Sequence, residues 1–399
     1  LIHTNGKQYD LIYASSSRLM TGFLGALISK KMKVPFVDLT REASSISTEI
    51  LEITSNVISS GQYVLGPNLE LFEKKFAEFS NVKYAVGVGN GSDALVLIMK
   101  SLGIGPGDEV ICPANSFIAT AWAIVAVGAK PVFCDVEDDF LISIESASQV
   151  LTKSTKALIA VHLTGKLCDM ESLNRLCKDN NIFLIEDAAQ AVGAHDQNKK
   201  KAGSFGVAAG FSLHPLKNLA VYGDGGVVTT NSQELSEKIK QYRNHGLINR
   251  DECSFWGLNT RLDELQAAYA IVKMKYIENW TEKYISIAKT YNQNITDNVI
   301  KPKTNKGFRD VFHNYVVVVK PEIRNTLMKR LLQLGVETKI HYPIPLHLQR
   351  CSSELGYKEG DLPNSERLAE SMISLPIYPL LEDHEINYII QSINSLFDS

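Results

Sequence analysis

Lys217 stands in the segment AAGFSLHPLKNLAVYGDGG (208–226), just past an apolar run and bracketed by Ser212, His214, Pro215 and the glycines of GDGG. A lysine enclosed in this way can lose its charge through desolvation and become a nucleophilic amine. Taken alone, it also reads as a solvated loop lysine. Upstream, IFLIEDAAQAVGA (182–194) runs four apolar residues into Glu186 and Asp187, with Gln190 three positions after Asp187. A carboxylate at the end of a buried strand is costly unless it meets a cation or hydrogen-bond donors. A protonated pyridine nitrogen is one such partner; a magnesium ion is another, but no P-loop precedes it. Earlier still, VGVGNGSDALVLIMK (86–100) leads a strand through a glycine-rich turn into a helix that begins near Ser92 or Asp93. Free N–H groups at that helix start, with the Ser92 hydroxyl, can hold a phosphate. Gly89-x-Gly91-x-x-Ala94 formally fits a dinucleotide fingerprint, yet the next strand, EVICPA, ends without an acid for a ribose. A plain capped turn stays open as well. Phe117, in CPANSFIATAWAI (112–124), could stack on a flat cofactor or belong to the core. Phosphate turn, strand-end acid and loop lysine, in that order, point to one site.

The elements around these residues alternate. Strands are expected at 84–89, 109–114, 130–136, 156–163, 182–188, 208–214 and 225–230. Helical patterns such as SDALVLIMKSLG and MESLNRLCKDNN lie between several of them. Near-continuous apolar strands separated by helices predict an α/β fold, with a mostly parallel sheet covered on both faces. Ligands of such sheets bind beyond the carboxyl ends of the strands, where the chemically capable residues fall. A long helical stretch, 262–294, leads out of this unit. The remainder reads as a smaller α+β unit: strand NYVVVV, helix RNTLMKRLLQLG ending at Gly335, strand ETKIHY, and a last helix. That helix carries Ile386, Ile389, Ile390, Ile393, Leu396 and Phe397 as an apolar stripe. The expected domains are 34–280 and 281–399.

The 399 residues are 45% hydrophobic and 21% charged, with a formal net charge of −3. This balance gives no basic excess for nucleic acid or anionic membrane. No apolar run approaches the roughly 18 residues of a membrane span. The six cysteines (Cys112, Cys134, Cys168, Cys177, Cys253 and Cys351) are scattered without a CxxC pair. Those within VICP and VFCDV are expected to be buried free thiols, which speaks against a metal centre and for the reducing cytoplasm. Residues 1–33 begin without Met, contain Met20 and Met32, and are set aside as an extension outside the core.

Eight motifs then fall in one order: GNGSDAL, PANSFIATAWAI, VHLTG, IEDAAQAVGA, SLHPLKNL…GDGG, YRNHG, NTRLDELQAA and HYPIPLH. Over about residues 34–395 the chain resembles the DegT/DnrJ/EryC1/StrS sugar aminotransferases. The resemblance implies a fold-type-I, pyridoxal 5'-phosphate (PLP) enzyme acting as a homodimer with active sites at the interface. Lys217 would then bond the cofactor and later shuttle the proton between substrate and cofactor carbons. Asp187 would pair with the pyridine nitrogen, keeping the ring an electron sink. Gln190 would hydrogen-bond the phenolic oxygen and Phe117 would stack on the ring. Gly91, Ser92, Asp93 and Ser212 would hold the phosphate, joined by Asn244 from the neighbouring subunit. His341, Tyr342 and His347 either border the sugar or serve the structure. By family habit L-glutamate supplies the nitrogen through pyridoxamine 5'-phosphate, and a nucleotide-linked keto-sugar receives it, toward the amino sugars of cell-surface polysaccharide. Lys217 argues against the dehydratase branch, which has His there. KNLAVYGDGG is more similar to members that aminate C3 than to C4 enzymes. C4 amination and a non-catalytic regulatory protein on the same fold stay as alternatives, as does a nicotinamide dehydrogenase built on the glycine turn.

Overall fold

The protein is described by a computed structural model over residues 34–397. Seven strands build the main sheet: β1 (Tyr84–Val88), β2 (Glu109–Pro113), β3 (Lys130–Cys134), β4 (Thr155–Val161), β5 (Phe183–Asp187), β6 (Ala208–Ser212) and β7 (Gly226–Thr230). Each lies within two residues of its expected position, because each is a short apolar run and most end at Gly, Pro, Asn or a charge. Their order is β1-β7-β6-β5-β4-β2-β3. The ladder is parallel from β3 across to β6, and only β7 runs antiparallel to both of its neighbours. Apolar layers pack on both faces, with Val86, Leu97, Phe133 and Ile159 on one side and Phe72, Phe76, Phe211 and Leu262 on the other.

Parallel strands send their carboxyl ends to one edge. There β5 ends on Asp187 and β6 on Ser212. β1, antiparallel to β7, runs the same way as β6, so its carboxyl end reaches the same edge and passes through Asn90 into the helix Gly91–Ser101. The elements that carry candidate chemistry therefore meet at one rim.

A second apolar cluster surrounds β8 (Tyr315–Val318) and β9 (Met372–Leu375), an antiparallel pair. Tyr291, Tyr315, Leu331, Ile373, Ile389 and Ile393 are buried there. The last helix, Asp383–Ser395, supplies its isoleucine stripe as expected. Two expectations change. The 262–294 stretch is two helices, Glu264–Met274 and Ile277–Asn294. At the joint, Lys275 and Tyr276 donate to Val272 and Lys273, tighter bonds that end an α-helix. ETKIHY is not a strand: among the described residues its backbone pairs with β9 through the single bridge Lys339–Ser374. Pro343 and Pro345 follow at once and remove the donors a ladder needs. The partner of β8 is β9, a segment the periodicity left unmarked. Helices at Leu39–Ser45, Ser47–Ser60 and Pro67–Ser80 were likewise not singled out.

All six cysteines are free; Cys112, Cys134, Cys168 and Cys177 are buried, while Cys253 and Cys351 are exposed. Among the described residues, no helix is long and apolar enough to cross a membrane.

Candidate active site

The two acids that close β5 face opposite sides, as consecutive strand residues must. Glu186 turns to the back, fully buried, and accepts N–H bonds from Gly203 (2.8 Å), Phe205 and Gly206 (both 2.7 Å). Its other neighbour is His162, whose Nε2 lies 3.0 Å away. The Cys168 N–H occupies His162 Nδ1 at 3.3 Å, so the ring carries its proton on Nε2 and donates it to Glu186. Burial alone would raise the Glu186 carboxyl, but His162 and the N–H groups of Gly206 and Gly203 hold it below the usual range. Glu186 therefore fastens the 203–206 loop behind the sheet.

Asp187 turns to the front. Its Oδ2 accepts from the Thr120 hydroxyl at 2.7 Å, and its Oδ1 from the Ala189 N–H at 3.2 Å. Thr120 is itself 2.8 Å from the Ser116 hydroxyl. The carboxylate is thus buried and oriented, with lone pairs to spare. Sequence reading missed Thr120, although two hydroxyls four residues apart at the start of an otherwise apolar helix (Ile118–Ala126) were a signal.

The helix Gly91–Ser101 is capped by Asn90, whose side chain accepts from Asp93 N–H at 2.8 Å. The Asp93 carboxylate accepts from Asn90 Nδ2 (2.9 Å) and from the Thr260 hydroxyl (2.5 Å). Asp93, one of the expected phosphate residues, therefore spends both its donor and its charge on the cap. Gly91 and Ser92, the first residues of the helix, keep the N–H groups that no helical carbonyl can reach. This start abuts β6: a Cβ added to Gly91 would lie 2.8 Å from Ser212 Cβ. It abuts β7 as well, where a Cβ on Gly226 would meet the Asn90 carbonyl at 2.4 Å. The Ser212 hydroxyl and the helix N-terminus are thereby held side by side.

Lys217 lies on a turn closed by its own N–H to the His214 carbonyl, 2.8 Å. The side chain is half-buried and makes no hydrogen bond or ion pair among the described residues. Desolvation pushes its amine down to about 8, against an opposing pull from the Asp187 charge. Lysine and acid thus sense one another without touching. Gln190 is buried; its Oε1 accepts from Thr164 N–H at 2.8 Å, which turns its Nε2 toward Tyr342 Oη at 3.4 Å. Phe117 is half exposed and tilts against the Tyr342 ring, centroids 5.6 Å apart. Burial and the Asp187 charge raise the Tyr342 hydroxyl, with Gln190 opposing.

His341 hydrogen-bonds Ser374 Oγ through Nδ1 at 2.9 Å, and burial, then Lys217 and Lys339, push its ring down to about 4. His347 is buried against Tyr357 and meets Glu366 Oε1 at 3.0 Å, contacts that fit its structural reading. Asn244 follows the helix Gln233–Tyr242 and accepts from Arg261 at 2.9 Å; Arg261 in turn bridges Val88. Besides Thr120, sequence reading passed over Asn218, beside the lysine, and Thr164, Thr260 and His313, which reach the site through tertiary contacts.

Residues 44–394 match the model of the DegT/DnrJ/EryC1/StrS aminotransferase family. The chain belongs to this family. Its members depend on PLP. A relative named dTDP-3-amino-3,6-dideoxy-alpha-D-galactopyranose transaminase, from Aneurinibacillus thermoaerophilus, is 40% identical over 363 residues, covering 90% of this chain and 99% of its own. A "pleiotropic regulatory protein" of Geobacillus stearothermophilus is also 40% identical, over 371 residues, covering 92% of this chain and 99% of its own. The crystal structure of S. venezuelae DesV in complex with a ketimine intermediate superposes with a TM-score of 0.89 at 35% identity, covering 92% of this chain and 99% of that one. The sheet order and the small antiparallel pair are those of a fold-type-I aminotransferase. The site suits the family's cofactor on its own terms: an unpaired amine of depressed basicity, an oriented buried carboxylate, and a donor-rich helix start flanked by a serine.

Proposed function

We propose that this aminotransferase moves the amino group of L-glutamate to C3 of a nucleotide-linked keto-sugar. The observation that carries the reading is the convergence of Lys217 and Asp187 on one rim, apart from each other, where Ser212 of the neighbouring strand end lies against the Gly91 helix start. The relative named for a dTDP-3-amino sugar supports the position of amination. PLP, when bound, supplies the electron sink. The Gly91 and Ser92 N–H groups and the Ser212 hydroxyl bind its phosphate, and Asp187, steadied by Thr120, keeps its ring nitrogen protonated. The Nε2–H of Gln190, oriented by Thr164, donates to its phenolic oxygen, while Phe117 covers the ring face. Lys217 would hold the cofactor covalently, and its amine, titrating at about 8, can both give and take a proton near neutrality. Tyr342, against Gln190 and Phe117, and the neighbouring His341 are read as bordering the sugar.

The regulatory reading has one specific point in its favour, the name of the Geobacillus relative. It does not account for a complete set of Lys217, Asp187, Gln190 and Ser212. Purified protein given PLP is expected to absorb at about 410–430 nm, as lysine-bound PLP does, and Lys217→Ala is expected to lose the band. Absence of the band in both chains would sink the enzyme reading. Regiochemistry is tested in reverse: the loaded enzyme is offered nucleotide-linked 3-amino and 4-amino sugars, and conversion of the cofactor to its amine form is followed. Conversion with 4-amino sugars alone would replace C3 by C4.

We further propose a homodimer with shared sites. Phe117, Trp122 and Val125 expose an apolar face on one helix, and the 244–259 ribbon carries Trp256, 95% exposed, beside Asn244. Surfaces of this kind are covered by partners, and Asn244 would reach the partner's phosphate site. A large cofactor-binding unit, 34–280, and a small unit, 281–399, are supported by the two separate sheets, although Val316, Val318 and Met372 of the small sheet pack into the core of the large one. Six free thiols support a reducing, cytoplasmic setting.

A further inference from the structure

Asn218, next to the lysine, is buried and uses both ends of its amide. Its Nδ2 donates to the Val311 carbonyl at 3.0 Å, which turns its Oδ1 toward His313 Nδ1, 3.1 Å away. An amide oxygen cannot donate, so His313 must carry its proton on Nδ1 and leave Nε2 as a lone pair. Nε2 has no partner among the described residues.

His313 is also gripped from the other side. Val311 N–H donates to Gly165 O at 2.9 Å, and Asn314 N–H to Thr164 O at 3.4 Å. Gly165, at φ +93°, has no room for a side chain: a Cβ would lie 2.8 Å from Val311 Cγ2 and 3.0 Å from His313 N. Thr164 is the residue whose N–H orients Gln190. His313, two residues before β8, thus joins the lysine loop to the turn that sets Gln190. The titratable groups around it are Lys217 and His214 on that loop and His341 from the small unit. Burial pushes the His313 ring well below its ordinary range, and these three neighbours push the same way, so it adds no positive charge beside the lysine.

We propose that His313 is a positioning residue for Lys217, acting through Asn218 to hold the lysine-bearing loop against the Thr164–Gly165 turn. The proposal rests on Lys217 being the cofactor lysine. The enclosure of the lysine amine, and with it the depressed basicity, then depends on a tether outside the loop. Without the tether, water reaches the amine and its titration climbs toward the ordinary 10.5.

The test uses the full-length chain freed of cofactor. Acetic anhydride labels amines only when unprotonated, so acetylation of Lys217 read by mass spectrometry across pH gives its midpoint. The wild type is expected at about 8. His313→Leu and Asn218→Ala are each expected to raise the midpoint by about one unit or more and to lower kcat at neutral pH about tenfold. His313→Asn, whose amide can still donate to Asn218, is expected to stay near wild type, and the Leu/Ala double variant to do no worse than either single. A midpoint unmoved in both single variants overturns the proposal even if the melting temperature falls, because that pattern is lost packing alone. If His313→Leu does not fold, Asn218→Ala decides on the same reading. Failure of the cofactor reading would appear separately, as a wild type without the absorption band.

Discussion

The lysine amine links the chemistry of the site to the stability of the empty chain. Its folded-state value, about 8, lies below the ordinary 10.5, so between those limits the unfolded chain holds more protons than the folded one. Stability of the cofactor-free protein is therefore expected to rise with pH from about 8 to 10.5 through this group, and to be flat in it outside that window. Melting temperatures compared with Lys217→Met across the range check this; parallel curves would refute the depressed amine. A second expectation concerns the hydroxyl behind the acid. Thr120→Val removes a buried bond to a charged carboxylate and should cost about 2 kcal/mol in denaturant unfolding. It should also weaken PLP retention several-fold by freeing Asp187 to turn. At this scale the sequence was most legible where position in a strand decides direction. Asp187 and Ser212 end apolar runs and had to face the rim. Gly91 and Ser92 open a helix and had to keep free donors. Thr120 and His313 were hidden because neither lies near its partner in the chain: Thr120 is 67 residues from Asp187 and His313 is 95 from Asn218. Asp93 was legible as an acid at a helix start, which suits a cap as readily as a ligand, and its bonds to Asn90 and Thr260 belong to the cap.

Among the elements, β7 comes very close to the helix start. Gly226→Ala would drive a methyl group into the Asn90 carbonyl and Gly91 N, backbone atoms that cannot swing aside. A loss of about 1–3 kcal/mol is expected in unfolding experiments. Weaker phosphate binding should accompany it, read as a higher PLP dissociation constant; an unchanged constant would show that the strand end does not shape the donor site. The seven strands were legible because buried parallel strands write themselves as apolar runs. The small unit was less so. Its second strand, MISL, is short and continues directly from the helix Pro363–Ser371, so no break in the pattern announces it. ETKIHY has the alternation of a strand but lies before Pro343 and Pro345, and pairing stops at one bridge. The joint at Lys275–Tyr276 interrupts a helical pattern with neither Gly nor Pro to mark it.

For the whole molecule, shared sites predict complementation. Lys217→Ala and Asn244→Ala damage different contributions to one site if the second reaches across from the partner. Co-refolded at equal amounts, they should form mixed dimers in which one site is intact, giving about a quarter of wild-type activity. No recovery above the two parents would argue that each chain builds its own site. The order of the main sheet carries one more consequence. β1 has β7 as its sole ladder neighbour, and the two are separated by about 140 residues of chain (226 − 88 = 138). A ribosome delivers the N-terminal partner first and must extrude every intervening strand before the gap closes. Until then the helix start rests on β6 without the strand that closes its other side, so the cofactor's anionic end would be captured only after Thr230 has emerged.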